Sequence, residues 1–205
     1  MKTQTLVMIG LATLLASTTQ ASQEQLAHSI KDAHLETTRT SNQLKATLEA
    51  INALTKQTKG DLRPAYNNYC AEVVKTGSAA ELTRTRVQWM GGDGRKYFQD
   101  WQATVNGISN ESLRKKAQKR LNSVKTNYDK VETSLQEAGD KFKPFLSDLA
   151  DIQKSLASDI TAGGVKAIKS TVKSANWNHQ FVNSSINKAL EGMDKMEKAL
   201  SAEAK

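Results

Sequence analysis

The chain has 205 residues, with 29 basic and 21 acidic side chains and a formal charge of +8. Two prolines, four phenylalanines and one cysteine exclude a disulfide-stapled scaffold and argue against an all-β domain, because the abundant Ala, Lys, Leu, Gln and Glu favour helix. A pI near 9.5 is that of either a solvated basic surface or a binder of anions.

The N-terminus reads as an export signal. Met1 and Lys2 form a small basic n-region, and Leu6 to Leu15 an apolar h-region. Thr19-Gln20-Ala21 places small residues at the −3 and −1 positions, so cleavage is expected after Ala21. The h-region is shorter than the ~20 apolar residues that span a bilayer; an uncleaved anchor helix is the alternative. The only cysteine is Cys70, so no residue can carry the lipid of a lipoprotein. No later stretch is apolar enough to cross a membrane. The expected organisation is a signal peptide at 1–21 and a single helical-bundle domain at 22–205, periplasmic or secreted and not transmembrane once processed.

Four heptad patterns follow, with helices expected at about 22–59, 62–108, 111–160 and 164–203. The first seam runs Leu26, Ile30, Ala33, Thr37, Thr40, Leu44, Thr47, Ile51 and Leu54, in steps of four and three. Gly60 is placed to cap it, and Asp61 with Pro64 to start the next helix. The second seam runs from Tyr66 and Tyr69 through Thr76, Thr83, Met90, Gly94, Tyr97 and Trp101 to Ile108. Gly91-Gly92-Asp93-Gly94 resembles a loop by propensity, yet the phase is the same on both sides, which predicts one helix with a soft point. Asn110 is a good N-cap for the third helix. Its seam continues past Pro144 to Leu156, so the proline kinks the helix without ending it. Gly163-Gly164 is read as the last turn. The fourth seam runs from Val165 to Leu200 and includes His179. Short connections make neighbours antiparallel. Helices of about 45 residues are roughly 65–70 Å long. The expected fold is all-α: an elongated antiparallel four-helix bundle, or coiled-coil rod, after a cleaved signal peptide.

The seams are poor in large apolar residues. Thr37, Thr40, Thr47, Thr76, Thr83 and Thr104 occupy core positions, where they bury less apolar area than Leu or Ile. Either a thin bundle tolerates this, or the small residues leave room for a second chain or an apolar ligand.

Several segments carry a resemblance. Arg86-Val87, Tyr97-Phe98 with Trp101, Ser109-Asn110-Glu111-Ser112-Leu113-Arg114, Phe142-Lys143-Pro144-Phe145-Leu146 with Asp148, and Leu156 through Asp159-Ile160-Thr161-Ala162 to Ile168 occur in this order. Over roughly residues 62–200 the chain resembles a bacterial family of exported, coiled-coil proteins classed as a domain of unknown function. The resemblance implies export and a helical bundle, and supplies no activity or site residues. Gly91-Gly92 and Gly163-Gly164 depart from its pattern.

Residues that could carry chemistry are few. His28 and His34 are six apart, unlike the three or four that places two ligands on one helix face, so no metal site is expected. His179 is read as a packed ring, with a switch or ligand role as the alternative. Cys70 is read as a small buried hydrophobe, or else as a cross-link between two chains. Gly91-Gly92-Asp93-Gly94 lacks the lysine of a phosphate loop. No catalytic set and no cofactor site can be nominated. The one charge feature is Arg114, Lys115, Lys116, Lys119 and Arg120 at the start of the third helix, with Lys195 and Lys198 toward the same end. Cations there oppose the helix dipole. They form a solvated face or an anion-binding site. Arg84, Arg86, Arg95 and Lys96, interleaved with Trp89 and Tyr97, make a second basic stretch. The expected function is non-enzymatic: an exported rod that acts as an envelope scaffold or protein-binding module, with a binder of anionic lipid or envelope polymer as the alternative. The expected partner is an envelope protein or an anionic envelope surface, with a homo-oligomer possible; export argues against nucleic acid.

Overall fold

A computed structural model describes the backbone of residues 2–57 and 59–201, and side chains from residue 17 onward. The expected n-region and the side chains of the h-region lie outside the described residues. All elements described are helical: α1 (Lys2–Lys56), α2 (Arg63–Asn106), α3 (Glu111–Ser158), α4 (Ala162–Ala167) and α5 (Lys169–Ser201). No described helix is long and apolar enough to cross a membrane.

The helix ends follow from local chemistry. α1 stops at Lys56, four residues before Gly60. Gly60 has φ +86° and serves the connection rather than the cap; there Gln57 Nε2 donates to the carbonyls of Lys59 and Asp61. Asp61 accepts from Arg63 N at 3.0 Å as α2 begins. Asn110 Oδ1 accepts from Leu113 N at 3.0 Å, the bond an N-cap makes. Pro144 lies within an unbroken α3. The last turn is not made by Gly163-Gly164. Thr161 is the N-cap of α4, and its hydroxyl oxygen accepts from both glycine amides. Gly164 therefore sits inside the first turn, where a Cβ would lie 2.0 Å from the Asp159 carbonyl oxygen. Ile168 interrupts α4 and α5 for one residue, while Val172 N still bonds its carbonyl at 2.9 Å.

The four long helices contribute to two compact units. One comprises 35–84 and 133–190. Its core is built by Leu44, Ile51 and Leu54, by Tyr69, by Phe145, Leu149, Ile152 and Leu156, and by Val165, Ile168, Val172, Val182 and Ile186. Thr40–Thr83 (2.9 Å) and Thr47–Thr76 (2.7 Å) pair hydroxyl to hydroxyl between α1 and α2. Asn52 and Asn176 exchange amide bonds between α1 and α5 at 3.1 and 3.2 Å. Tyr69 and Tyr66 of α2 donate to the Leu149 and Gln153 carbonyls of α3. Thr37 and Thr38 are exceptions, their hydroxyl oxygens buried with no hydrogen-bond partner. The core threonines of these two pairs thus satisfy one another and do not vacate space.

The other unit draws on α1 up to His34, on Thr85–Glu132 and on α5 from Glu191. Leu26 and Ile30 pack there with Met90, Tyr97, Phe98, Leu121, Val124, Tyr128, Met193, Met196 and Leu200, all buried. Thr19 pairs with Thr104 at 2.8 Å, and Gln102 with Gln118 at 2.7 and 3.0 Å. α2 runs through Gly91–Gly94 without a break. The reason is Tyr128. A Cβ on Gly94 would lie 2.3 Å from its hydroxyl oxygen, and that hydroxyl donates to the Met90 carbonyl at 2.8 Å. The space a side chain would need is filled by a phenol from α3, so the layer stays full. Gly192 admits Val131 in the same way, with a Cβ 2.6 Å from Cγ2.

Two expectations follow. Gly92 has nothing within 4 Å of a built Cβ, so Gly92→Ala should raise stability by roughly 0.5–1 kcal/mol, whereas Gly94→Ala should lower it by about 1–3 kcal/mol; thermal melts of both variants decide this. Thr47→Val should cost about 1–3 kcal/mol by stranding the Thr76 hydroxyl. The double Thr47→Val, Thr76→Val variant should cost less than the sum of the singles, a coupling that a double-mutant cycle in urea reads directly.

Candidate functional site

The basic cluster lies in the first turns of α3, and all five of its side chains are exposed. Asn110 fixes where the helix starts, and so fixes Arg114 one turn in. Arg114 Nη1 donates to the Ile108 carbonyl at 3.2 Å. Lys115 pairs with Glu111 at 2.7 Å. Arg114 and Lys115 are thus engaged locally. Gln118, between Lys116 and Lys119 in sequence, faces inward to Gln102 of α2. Antiparallel contact of Val131 with Gly192 sets Lys195 and Lys198 about level with residues 125–128, more than a turn beyond Arg120.

The second basic stretch is largely consumed by pairing. Arg84 is paired with Glu81, and Lys96 with Asp100 at 2.8 Å. Arg86 reaches Asp32 at 3.3 Å and stacks over the Trp89 ring at 4.7 Å. Tyr97 is core, in ring contact with Phe98 and Trp101.

His34 bonds Asp194 at 3.2 Å and does not meet His28. Among the described residues, no three His, Cys, Asp or Glu side chains gather as metal ligands. Cys70 is half-buried, packed at the edge of its unit's core beside Tyr66. His179 is half-buried, with its ring 6.1 Å from that of Phe145. Burial holds its pKa below the ordinary 6.5. Burial also pushes the phenols of Tyr69 and Tyr128 well upward, so both remain donors to their carbonyls.

Two features escaped the heptad reading. Glu36 is buried and meets Arg39 at 2.7 Å; it belongs to a heptad-spaced row with Ser22 and Ser29, also buried, which widens the covered face of α1. Trp177 and Phe181 of α5 project to solvent, 61% and 44% exposed, with rings 5.3 Å apart and nearly perpendicular. Their one available signal was that both fall outside the seam.

Replacing Arg114, Lys115, Lys116, Lys119 and Arg120 with Gln removes cations that oppose the helix dipole, at the loss of exposed pairings such as Lys115–Glu111, worth about 0.3–0.5 kcal/mol. The melting temperature should stay level or rise slightly. The unfolded chain protonates His179 near pH 6.5 and the folded chain only lower. Between those values the unfolded state holds more protons. Stability should therefore fall as pH drops through 6.5, and His179→Leu should flatten that slope in urea titrations at several pH values.

No curated protein sequence matches the chain. Residues 16–200 match the family model described as Protein of unknown function (DUF2959). The match covers most of the chain, all of α2 to α5 but the final residue, and the chain belongs to that family.

Proposed function

We propose that this protein is a non-enzymatic, exported helical scaffold or protein-binding module of the cell envelope, with coiled-coil packing of its helices. The observation that supports this reading is how the interior polar groups are used. Threonine hydroxyls meet threonine hydroxyls, amides meet amides, and phenols meet backbone carbonyls. A reactive or ligand-binding pocket needs convergent polar groups left over for a substrate; the pairs named here are spent on joining helices. Function is then carried by outer faces. Export rests on the basic n-region, the short h-region and the Thr19-Gln20-Ala21 site. Cleavage after Ala21 would remove Thr19 from its bond with Thr104, whose hydroxyl still donates to the Asp100 carbonyl at 3.1 Å.

Cross-linking in intact cells, followed by affinity purification from the envelope fraction, tests the module. The expected result is a stoichiometric protein partner and a mature N-terminus at or near Ser22 by mass spectrometry. Recovery of the chain from the cytosol with Met1 in place would overturn the export reading. A turnover activity that survives extensive purification would overturn the non-enzymatic one.

A further inference from the structure

Residues 160–190 contain Lys166, Lys169, Lys173 and Lys188 and not one Asp or Glu. Within that stretch α5 is held on three sides. Ala175, Val182 and Ile186 point into the core. Asn176 is tied to Asn52 of α1, and Asn178 to Asp148 of α3 at 2.8 Å. The remaining face carries Lys173, Trp177, Phe181, Ser184 and Lys188, all exposed and spaced three or four apart. Trp177 and Phe181 contact each other edge to face, so this aromatic pair stands outside the packing that the rest of the unit uses.

We infer that this face of α5 docks on an anionic phospholipid surface, with Trp177 and Phe181 entering the headgroup region and the flanking lysines meeting the lipid phosphates. Three features select this occupant. The aromatic pair is a ridge on the outside of one helix, which a fluid interface accepts without a preformed pocket. Trp is favoured at headgroup depth because its ring is apolar and its N–H is polar. Over residues 160–190 the charge is of one sign and diffuse, which complements a leaflet rather than a point ligand; lysine stems can lie along the apolar layer while their ammonium groups stay at the phosphates. Asp148, which meets this stretch of α5 from α3, is occupied by Ser174 and Asn178, and the next acid along α5 is Glu191, three residues past Lys188. The inference goes beyond the scaffold reading and assigns that scaffold a second surface, distinct from the cluster at Arg114–Arg120.

The full chain is titrated with phosphatidylglycerol–phosphatidylcholine vesicles and with phosphatidylcholine vesicles, some carrying brominated acyl chains. Tryptophan emission is the readout. Anything residues 1–16 contribute is common to every variant. Phosphatidylglycerol vesicles should shift the emission to the blue and bromine should quench it. Trp177→Phe should abolish both effects, and Trp89→Phe should leave them. Trp177→Ser with Phe181→Ser should weaken binding by about tenfold or more, with helicity unchanged by circular dichroism. Lys169→Gln, Lys173→Gln and Lys188→Gln should each weaken it by up to roughly fivefold and reduce its salt sensitivity. The inference is overturned if wild type and the Trp177/Phe181 variant bind alike, if neither binds, if only the Arg114–Arg120 glutamine variant loses binding, or if phosphatidylcholine binds as well as phosphatidylglycerol. Trp177 emission that ignores vesicles but shifts with a purified envelope protein also overturns it, in favour of a protein interface. None of these outcomes bears on whether a scaffold partner is recovered from the envelope.

Discussion

Several of the polar side chains turned inward in these helices find their partner on another helix. Leaving such a group unpaired costs about 1–3 kcal/mol. An apolar heptad seam tolerates a slip of seven residues, because the stripe stays in phase. The polar pairs do not. In one unit a slip would part Thr40 from Thr83, Thr47 from Thr76 and Asn52 from Asn176. In the other it would part Thr19 from Thr104 and Gln102 from Gln118. Apolar burial makes the helices associate, and these pairs decide the register at which they do so.

Side-chain size supplies a second constraint. The seams are short of bulk, and small residues are set opposite large ones. Tyr128 occupies the room left by Gly94, and Val131 the room left by Gly192. Tyrosines do more than fill. The Tyr69 and Tyr128 phenols sit in the core and still find a backbone carbonyl on the neighbouring helix. Each brings the area of an aromatic ring together with a tether of defined direction.

Much of this was legible from the chain alone. The repeat of four and three names one stripe per helix, and along α4 and α5 every seam residue from Val165 to Leu200 is buried except the half-buried His179. Uninterrupted phase across Gly91–Gly94 outweighed the glycines' propensity, as the continuous α2 bears out. Exposure of the Arg114–Arg120 cluster was also legible, since none of its charges falls on the seam. Cross-helix pairing was not, because a threonine in one stripe says nothing of which threonine faces it. Helix ends were misjudged where two signals competed. Gly60 looks like a cap but lies four residues beyond the end of α1, and Thr161 captures the amides of Gly163 and Gly164 before they can form the turn. Trp177 and Phe181 were not legible in this way, because a heptad stripe marks only the residues that face inward.

The fit of Tyr128 against Gly94 constrains how this chain can change. Enlarging position 94 first drives a methyl into the phenol, and shrinking position 128 first opens a void and frees the Met90 carbonyl. The two changes are tolerable together and harmful singly, in either order. A lineage that holds this pair is thus confined to it unless both positions change nearly at once or an unrelated stabilising substitution comes beforehand. Such positions drift as a unit, and the rate of change at one depends on the residue currently at the other.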